Sequence, residues 1–82
     1  MTSVKLYTVG QCKECDHVKM MLDELNVEYI ELDVTQDPYR EDVVRMTGCF
    51  SVPQLLLDDL YIGNNDDVVE LFRAEKLKQA LT

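Results

Sequence analysis

The pattern at the amino terminus constrains the fold of this chain more than any other feature of its sequence. A β-rich run over residues 4–9 stops at Gly10, where a turn begins. Over residues 14–25, apolar side chains recur at helical spacing, with acidic and basic residues between them. The sequence therefore predicts a strand, a turn and an amphipathic helix, and two cysteines, Cys12 and Cys15, fall at the start of that helix.

The remaining patterns predict a second strand, a second helix, a hairpin and a last helix. Asp37-Pro38 pairs a cap residue with an amino acid that is tolerated in the first turn of a helix, and Gly48 ends that helix. An Asp58-Asp59 turn joins two apolar runs, and Asn65 and Asp66 are candidate caps for the last helix. The predicted elements are strands at residues 27–34, 54–57 and 60–62, and helices at residues 38–47 and from the caps to about Leu81.

The predicted order, βαβαββα, limits the sheet. A helical crossover joins the first two strands, which should therefore be parallel with a right-handed connection, while the last two strands should pair as an antiparallel hairpin. The expected fold is an α/β domain with a four-stranded mixed sheet flanked by helices. With 82 residues the chain has the size of one domain, so we expect a single domain over residues 1–82.

Charge and cysteine usage exclude several classes of function. Sixteen acidic residues against eight lysines and arginines give a net charge of −8, which repels nucleic acids and anionic membranes. Three cysteines, two of them close together, do not form the disulfide framework of a secreted domain. No segment approaches the roughly 18 apolar residues of a membrane helix. We expect a soluble, cytoplasmic protein that binds neither nucleic acid nor membrane.

A CxxC pair in an intracellular chain serves either redox exchange or metal binding. Structural zinc sites usually have four ligands, and here only His17 and the distant Cys49 could complete a set, so we expect no bound metal. His17 is two residues beyond Cys15 and should point to another side of the helix. A third interpretation is that both cysteines are small apolar residues of a helix start.

The position of the pair favours redox exchange. Backbone amides and the positive dipole end at a helix start stabilise a thiolate, which is the attacking species. Cys12, nearer the turn, is the predicted nucleophile, and Cys15, one turn further, is the predicted resolving thiol. Lys13 should add positive potential there, while Glu14 and Asp16 oppose it.

Four segments in order resemble the glutaredoxin family. These segments are residues 4–8 with Cys12-Lys13-Glu14-Cys15, Thr47-Gly48, Ser51-Val52-Pro53, and Ile62-Gly63 with Asp66-Asp67. The resemblance covers nearly the whole chain. It implies a thioredoxin-like fold, thiol-disulfide oxidoreductase activity, glutathione as co-substrate and no tightly bound cofactor.

The resemblance also implies a set of binding residues. Pro53 should follow a cis peptide bond beside the cysteines, and Val52 should pair its backbone with a substrate peptide. Asp66 and Asp67 match positions that hold the glutamyl end of glutathione, and Arg40 matches a contact to its glycyl carboxylate. The substrate- or glutathione-binding residues implied in this way are Lys13, Arg40, Ser51, Val52, Pro53, Gly63, Asp66 and Asp67. Without the resemblance, the proline is an ordinary trans residue opening an edge strand, the arginine a solvated charge and the two aspartates helix-start residues.

Three positions depart from the family pattern. Val9 replaces the usual lysine, Lys13-Glu14 the usual proline and tyrosine, and Asn64 the second glycine of the usual pair, although asparagine tolerates a left-handed backbone. These departures resemble redoxins of the NrdH type, which are recycled by thioredoxin reductase and reduce ribonucleotide reductase. Another alternative is an iron-sulfur or metal-binding module that uses Cys12, and a third is a partner protein without turnover.

The partners expected are glutathione, thioredoxin reductase or both, together with disulfide-containing proteins, which include ribonucleotide reductase in the NrdH alternative. Cys49, four residues before Pro53, is expected to be a semi-buried structural cysteine, with an oxidisable thiol at the edge of the site as the alternative. We expect the protein to be a monomer.

Overall fold

The computed structural model describes residues 3–36, 38–47, 52–58 and 60–81, with the backbone alone at Thr47. The strands are β1 (Val4–Thr8), β2 (Ile30–Asp33), β3 (Gln54–Leu57) and β4 (Leu60–Asn64). The helices are α1 (Lys13–Glu24), α2 (Tyr39–Thr47), α3 (Asn65–Arg73) and α4 (Leu77–Ala80). Asp37, Gly48 and Asp59, which the sequence assigns to a helix start, a helix end and the hairpin turn, lie outside the described residues.

The four strands form one mixed sheet in the order β2-β1-β3-β4. β1 pairs in parallel with β2 and antiparallel with β3, and β3 pairs antiparallel with β4. This confirms the predicted α/β arrangement of a parallel crossover followed by a hairpin. β1 and β3 are the two central strands.

The strand register brings three separate loops to one end of the sheet. Gln54, the first residue of β3, pairs with Tyr7 near the end of β1 and with Asn64 at the end of β4. Thr8 pairs with Asp33 at the end of β2. The loop that follows β1, the segment that precedes β3 and the start of α3 therefore lie at the same edge of the sheet.

Two apolar clusters cover the two faces of the sheet. Because successive strand residues point to opposite faces, Leu6 and Leu55 lie in one cluster, and Tyr7 and Leu56 lie in the other. The first cluster contains buried residues of α1 and α3 and continues to Leu77 and Leu81. The second contains Val34 and, from α2, Val43. Helices therefore flank both faces, and the cysteine-bearing helix packs on the Leu6 face.

The second strand begins later than its apolar pattern predicts, because Val27 is part of the cap that follows the last residue of α1. Asn26 adopts a left-handed backbone (φ 58°), its amide bonds the Asp23 carbonyl at 3.0 Å, and the Val27 amide bonds the Leu22 carbonyl at 3.0 Å. These are the two bonds of a Schellman cap. β2 therefore starts only at Ile30.

The prediction of one continuous last helix is wrong. Glu75 has a left-handed backbone (φ 58°), and the Lys76 amide bonds the Leu71 carbonyl at 2.8 Å, which ends α3 with a second Schellman cap. The chain then starts α4, whose Leu77 is 1% exposed in the first core cluster. The helical spacing of apolar residues continues through this break, so the sequence pattern does not show it.

Within the described residues, no helix is both long enough and apolar enough to cross a membrane.

Candidate active site

The two cysteines begin α1 and differ in exposure. Cys12 is the N-cap of the helix and is partly exposed, whereas Cys15 is 0% exposed. Their sulfurs are joined in a disulfide, with 5.2 Å between the Cα atoms. Because Cys12 is partly exposed and Cys15 is buried, Cys12 is the member of the pair that a disulfide from outside can reach.

The backbone at the start of α1 directs one hydrogen-bond donor at the Cys12 sulfur. The Cys15 amide donates to the Cys12 Sγ at 3.0 Å, and the Asp16 amide makes the first helical bond to the Cys12 carbonyl, also at 3.0 Å. In the reduced protein, the same amide and the positive end of the helix dipole favour a thiolate on Cys12. Lys13, predicted to add positive potential, is exposed in the first turn, as are Glu14 and Asp16.

The peptide bond Val52–Pro53 is cis, as the family resemblance implies. Pro53 is buried and immediately precedes Gln54, the residue that pairs with Tyr7 in β1. Val52 packs against the second core cluster, as does Val9 from the cysteine loop. The two segments on either side of the site thus share one apolar support, and the register places Pro53 beside the end of β1.

The residue after the proline is held by a side-chain hydrogen bond. Gln54 is 2% exposed, and its Oε1 accepts from the Tyr61 hydroxyl of β4 at 2.6 Å. Buried amide groups are costly unless they are bonded, so this contact stabilises the start of β3.

The start of α3 is a capping box. The Asp67 amide donates to the Asn64 Oδ1, and the Asn64 amide donates to the Asp67 Oδ2, both at 3.2 Å. The cap is therefore Asn64, and the prediction of Asn65 or Asp66 as the cap is wrong. Asn64 has an extended backbone (φ −91°), so the tolerance of asparagine for a left-handed backbone is not used at this position. The positive φ lies one residue earlier, at Gly63 (φ 152°).

Gly63 is required by the close approach of Asp67. A Cβ at residue 63 would collide with the Asp67 side chain, which the capping box holds in place. Asp66 is exposed in the first turn of α3. The two aspartates therefore differ, because the Asp67 carboxylate is engaged in the cap and the Asp66 side chain faces solvent.

Arg40 lies at the same end of the sheet as the cysteines, on the face opposite the one that α1 covers. It is exposed in the first turn of α2, where it lines a shallow cleft with Val44 and Arg45. α2 packs on the Tyr7 face, opposite the face that α1 covers. Ser51 and Cys49 lie outside the described residues, and His17 is exposed.

A polar network that the sequence did not predict supports the cysteine loop. The Thr8 hydroxyl donates to the Glu31 Oε2 at 2.7 Å, and the Lys19 Nζ lies 2.7 Å from the same oxygen. The Lys19 Nζ is also 3.7 Å from the Asp16 Oδ1. The hydrogen bond from Lys19, with a smaller contribution from Thr8, lowers the pKa of Glu31, and the Glu31 hydrogen bond raises the pKa of Lys19. Only the β1–β2 register shows that Glu31 lies near Thr8.

In the part of the chain that the structure describes, no group of three or more His, Cys, Asp or Glu side chains is arranged to hold a metal ion.

The fold and the site define the class of this protein, which is a thioredoxin-like domain with a redox-active cysteine pair at the start of its first helix. Comparison with known proteins defines its family. The glutaredoxin family model matches residues 4–62. Glutaredoxin 1 of Rickettsia prowazekii is 30% identical over 82 residues, covering 96% of this chain and 86% of the relative.

Two solved structures agree with this family. A glutaredoxin from Brucella melitensis has a TM-score of 0.85 at 27% identity, covering 99% of this chain and 89% of that one. A buckwheat glutaredoxin-glutathione complex has a TM-score of 0.83 at 25% identity, covering 98% and 76%. The chain belongs to the glutaredoxin family, its thioredoxin-like fold is confirmed, and it is a dithiol thiol-disulfide oxidoreductase.

Proposed function

We propose that Cys12 is the nucleophile and Cys15 the resolving thiol of this oxidoreductase. The Cys12 thiolate attacks a substrate disulfide, forms a mixed disulfide and releases the first substrate sulfur as a thiol. Cys15 then attacks the Cys12 sulfur, which releases the second substrate thiol and leaves the Cys12–Cys15 disulfide. Two electrons pass to the substrate. The observation that carries this assignment is the pairing of a partly exposed Cys12 with a fully buried Cys15 at a helix start.

We further propose glutathione as the co-substrate that reduces the pair again. Two glutathione thiols supply the two electrons and leave as glutathione disulfide. The similarity to the buckwheat glutaredoxin-glutathione complex supports this proposal. So does the start of α3, where an exposed Asp66 can meet an ammonium group at the same sheet edge as the cysteines.

The remaining binding roles follow from that proposal. Arg40 and Lys13 are exposed cations on either side of this end of the molecule and suit carboxylates of glutathione. Val52 presents its backbone to a substrate peptide beside Pro53, and Gly63 and Asp67 shape the α3 start. Ser51 keeps its predicted role next to Val52.

The test of the resolving role is Cys15→Ser. Reduction of glutathione mixed disulfides needs only the nucleophile, so the variant should retain that activity and lose most reduction of protein disulfides. Equal loss in both assays would contradict the use of glutathione. The matched control is Cys49→Ser, which should leave both activities unchanged.

The test of the reductant compares recycling of the wild-type disulfide by glutathione with glutathione reductase and by thioredoxin reductase. Faster recycling by glutathione is expected. Recycling by thioredoxin reductase alone, with electrons passed on to ribonucleotide reductase, would favour the NrdH-type alternative. Neither the described residues nor the relatives compared favour that alternative or the iron-sulfur one.

We also propose that residues 1–82 act as one domain, as a monomer in the cytoplasm, on disulfide-containing protein substrates. The cysteine usage supports a reducing compartment, since three cysteines with two of them close together do not form the disulfide framework of a secreted domain.

A further inference from the structure

The loop that carries Cys12 is tied at both of its ends by the polar network described above. Thr8, the last residue of β1 and 2% exposed, precedes this loop, and Asp16, in the first turn of α1, follows it. Glu31 of β2 binds Thr8, and Lys19 links Glu31 to Asp16. A single lysine therefore connects the strand before the loop with the helix turn after it.

The geometry of α1 places this lysine close to the cysteine pair. Lys19 is four residues after Cys15 and three after Asp16, one helical turn away. Its side chain is 27% exposed, so the contact to Glu31 is partly shielded from water. Both bonds to the Glu31 Oε2 are 2.7 Å, the short distance of charge-assisted hydrogen bonds.

The loop itself needs such support. Gln11, directly before Cys12, has a left-handed backbone (φ 57°), which is unfavourable for a residue with a side chain. The Cys15 amide reaches the Cys12 Sγ only if the loop and the first helical turn keep their relative position. In addition, Asp16 and Glu31 place two negative charges near this turn, and Lys19 is the cation that contacts both.

We propose that Lys19, held by Glu31, is a positioning residue for Cys12. It fixes the first turn of α1 against the end of β1, so that the Cys15 amide stays directed at the Cys12 sulfur, and it offsets the negative charge of Asp16 and Glu31 there. The proposal rests on the nucleophilic role of Cys12 and is independent of the identity of the reductant.

Besides Lys19, the charged or titratable side chains nearest Cys12 along each surrounding element enter the test because each acts on the thiolate. They are Lys13, Glu14, Asp16 and His17 on α1, Glu31 and Asp33 on β2, Arg40 on α2, and Asp66 and Asp67 on α3. All of them except Glu31 are the same in every variant compared, so differences between the variants report the Lys19–Glu31 pair.

The first experiment measures alkylation of Cys12 in the reduced full chain by iodoacetamide across a pH series at constant ionic strength. Cleavage by trypsin after Lys13 separates the Cys12 peptide from the Cys15 peptide, so mass spectrometry reads Cys12 alone. Lys19→Met should raise the midpoint by about half a pH unit, which is about a threefold loss of thiolate below the midpoint.

Matched variants separate this role from a general effect of charge or stability. Lys78→Met, at an exposed residue of α4, removes the same charge and should leave the midpoint unchanged. Lys19→Arg keeps the ion pair and should restore the wild-type midpoint. A midpoint in Lys19→Met equal to that of Lys78→Met, or an unrestored midpoint in Lys19→Arg, would overturn the proposal.

The second experiment distinguishes positioning from charge alone, and its Glu31→Gln measurement, compared with wild type, replaces the first experiment if Lys19→Met does not fold. Glu31→Gln removes a negative charge, so a purely electrostatic influence would make Cys12 more reactive. Positioning instead requires slower disulfide reduction, about threefold, in Glu31→Gln as in Lys19→Met, with little further loss in the double variant. Unchanged or faster turnover in Glu31→Gln, or fully additive losses, would refute the positioning role.

The thiol titration involves no glutathione, so its outcome is separate from the glutathione proposal. If recycling by glutathione fails while Lys19→Met shifts the Cys12 midpoint, the reductant is wrong and the positioning role stands.

Discussion

Two helix starts meet at the same end of the sheet, and they satisfy their free amides in different ways. At α1 the cap is the sulfur of Cys12, which accepts from the Cys15 amide. At α3 the cap is Asn64, which is locked to Asp67 by a reciprocal pair of hydrogen bonds. The first helix start directs the Cys15 amide at a cysteine sulfur, and the second satisfies its amide with a side chain that has no redox chemistry. The start of α1 therefore serves the redox site and the start of α3 serves local stability, although both are helix N-termini at the same end of the sheet.

The difference between the two helix starts is tested most directly by a change that removes the Cys12 sulfur and keeps a capping side chain. Serine is a good N-cap residue, so Cys12→Ser should preserve α1 and abolish disulfide reduction. The measurements are turnover with a glutathione mixed disulfide and the far-ultraviolet circular dichroism of the reduced protein. Retained turnover would show that Cys12 is not the nucleophile, and lost helix signal would show that its sulfur is needed for folding.

The next effect concerns the backbone that leads into α3. Gly63→Ala introduces a Cβ against Asp67 at a positive φ, and should cost about 1–3 kcal/mol of unfolding free energy. Urea unfolding of the reduced variant measures this loss. Gly10→Ala, in the turn before Cys12, is the control, because a Cβ there meets nothing within 4 Å. Equal stability of the two variants would contradict the close approach of Asp67 to Gly63.

A smaller effect tests which asparagine is the cap. Asn64→Ala removes the acceptor for the Asp67 amide and should cost about 1 kcal/mol. Asn65→Ala removes a buried Oδ1 for which the described structure shows no hydrogen-bond partner, so it should be nearly neutral. Urea unfolding of the two variants side by side decides between them. A larger loss of stability in Asn65→Ala than in Asn64→Ala would show that Asn65 is the cap, as the sequence pattern predicts.

The smallest expected effect is at the start of α1, where the contact between Lys19 of the helix and Glu31 of β2 depends on charge. Lys19 holds the pKa of Glu31 below its ordinary value of 4.5. A carboxyl with a lower pKa in the folded state contributes stability above its unfolded pKa and loses that contribution as the pH falls through the folded pKa. The difference in stability between wild type and Glu31→Gln should therefore be constant above about pH 6 and shrink below 4.5.

The size of this effect is limited, since the Glu31 side chain is 43% exposed, and we expect less than about 1 kcal/mol. Urea unfolding from pH 3 to pH 7 measures it. The control repeats the Glu31→Gln comparison in a Lys19→Met background, where the pH dependence should largely disappear. The same dependence in both backgrounds would assign it to a group other than this pair.

Local sequence patterns predict the features that depend on neighbouring residues. The strand-turn-helix junction around Cys12 and Cys15 follows from periodicity, and the mixed sheet follows from the order of the elements. The cis bond before Pro53 is a feature that the family resemblance implies and the structure confirms.

The features that sequence patterns missed depend on choices among similar residues or on tertiary contacts. Asn64, Asn65 and Asp66 can all cap a helix, and the choice of Asn64 depends on the reciprocal bond from Asp67. The break at Glu75 is hidden because Leu77 keeps the helical spacing of α3. The Thr8–Glu31 contact depends on the register between two strands that are distant in sequence.

The central position of β1 and β3 has a consequence for the motions of the molecule. The strands that lead into the cysteine loop and out of Pro53 are bonded on both sides, whereas β2 and β4 each have one bonded edge within the described sheet. Opening of the sheet should therefore begin at its margins and reach these strands last. In native-state hydrogen exchange, the amides of Leu6 and Leu55 should be among the slowest. The redox site is then attached to the part of the protein that opens only with global unfolding.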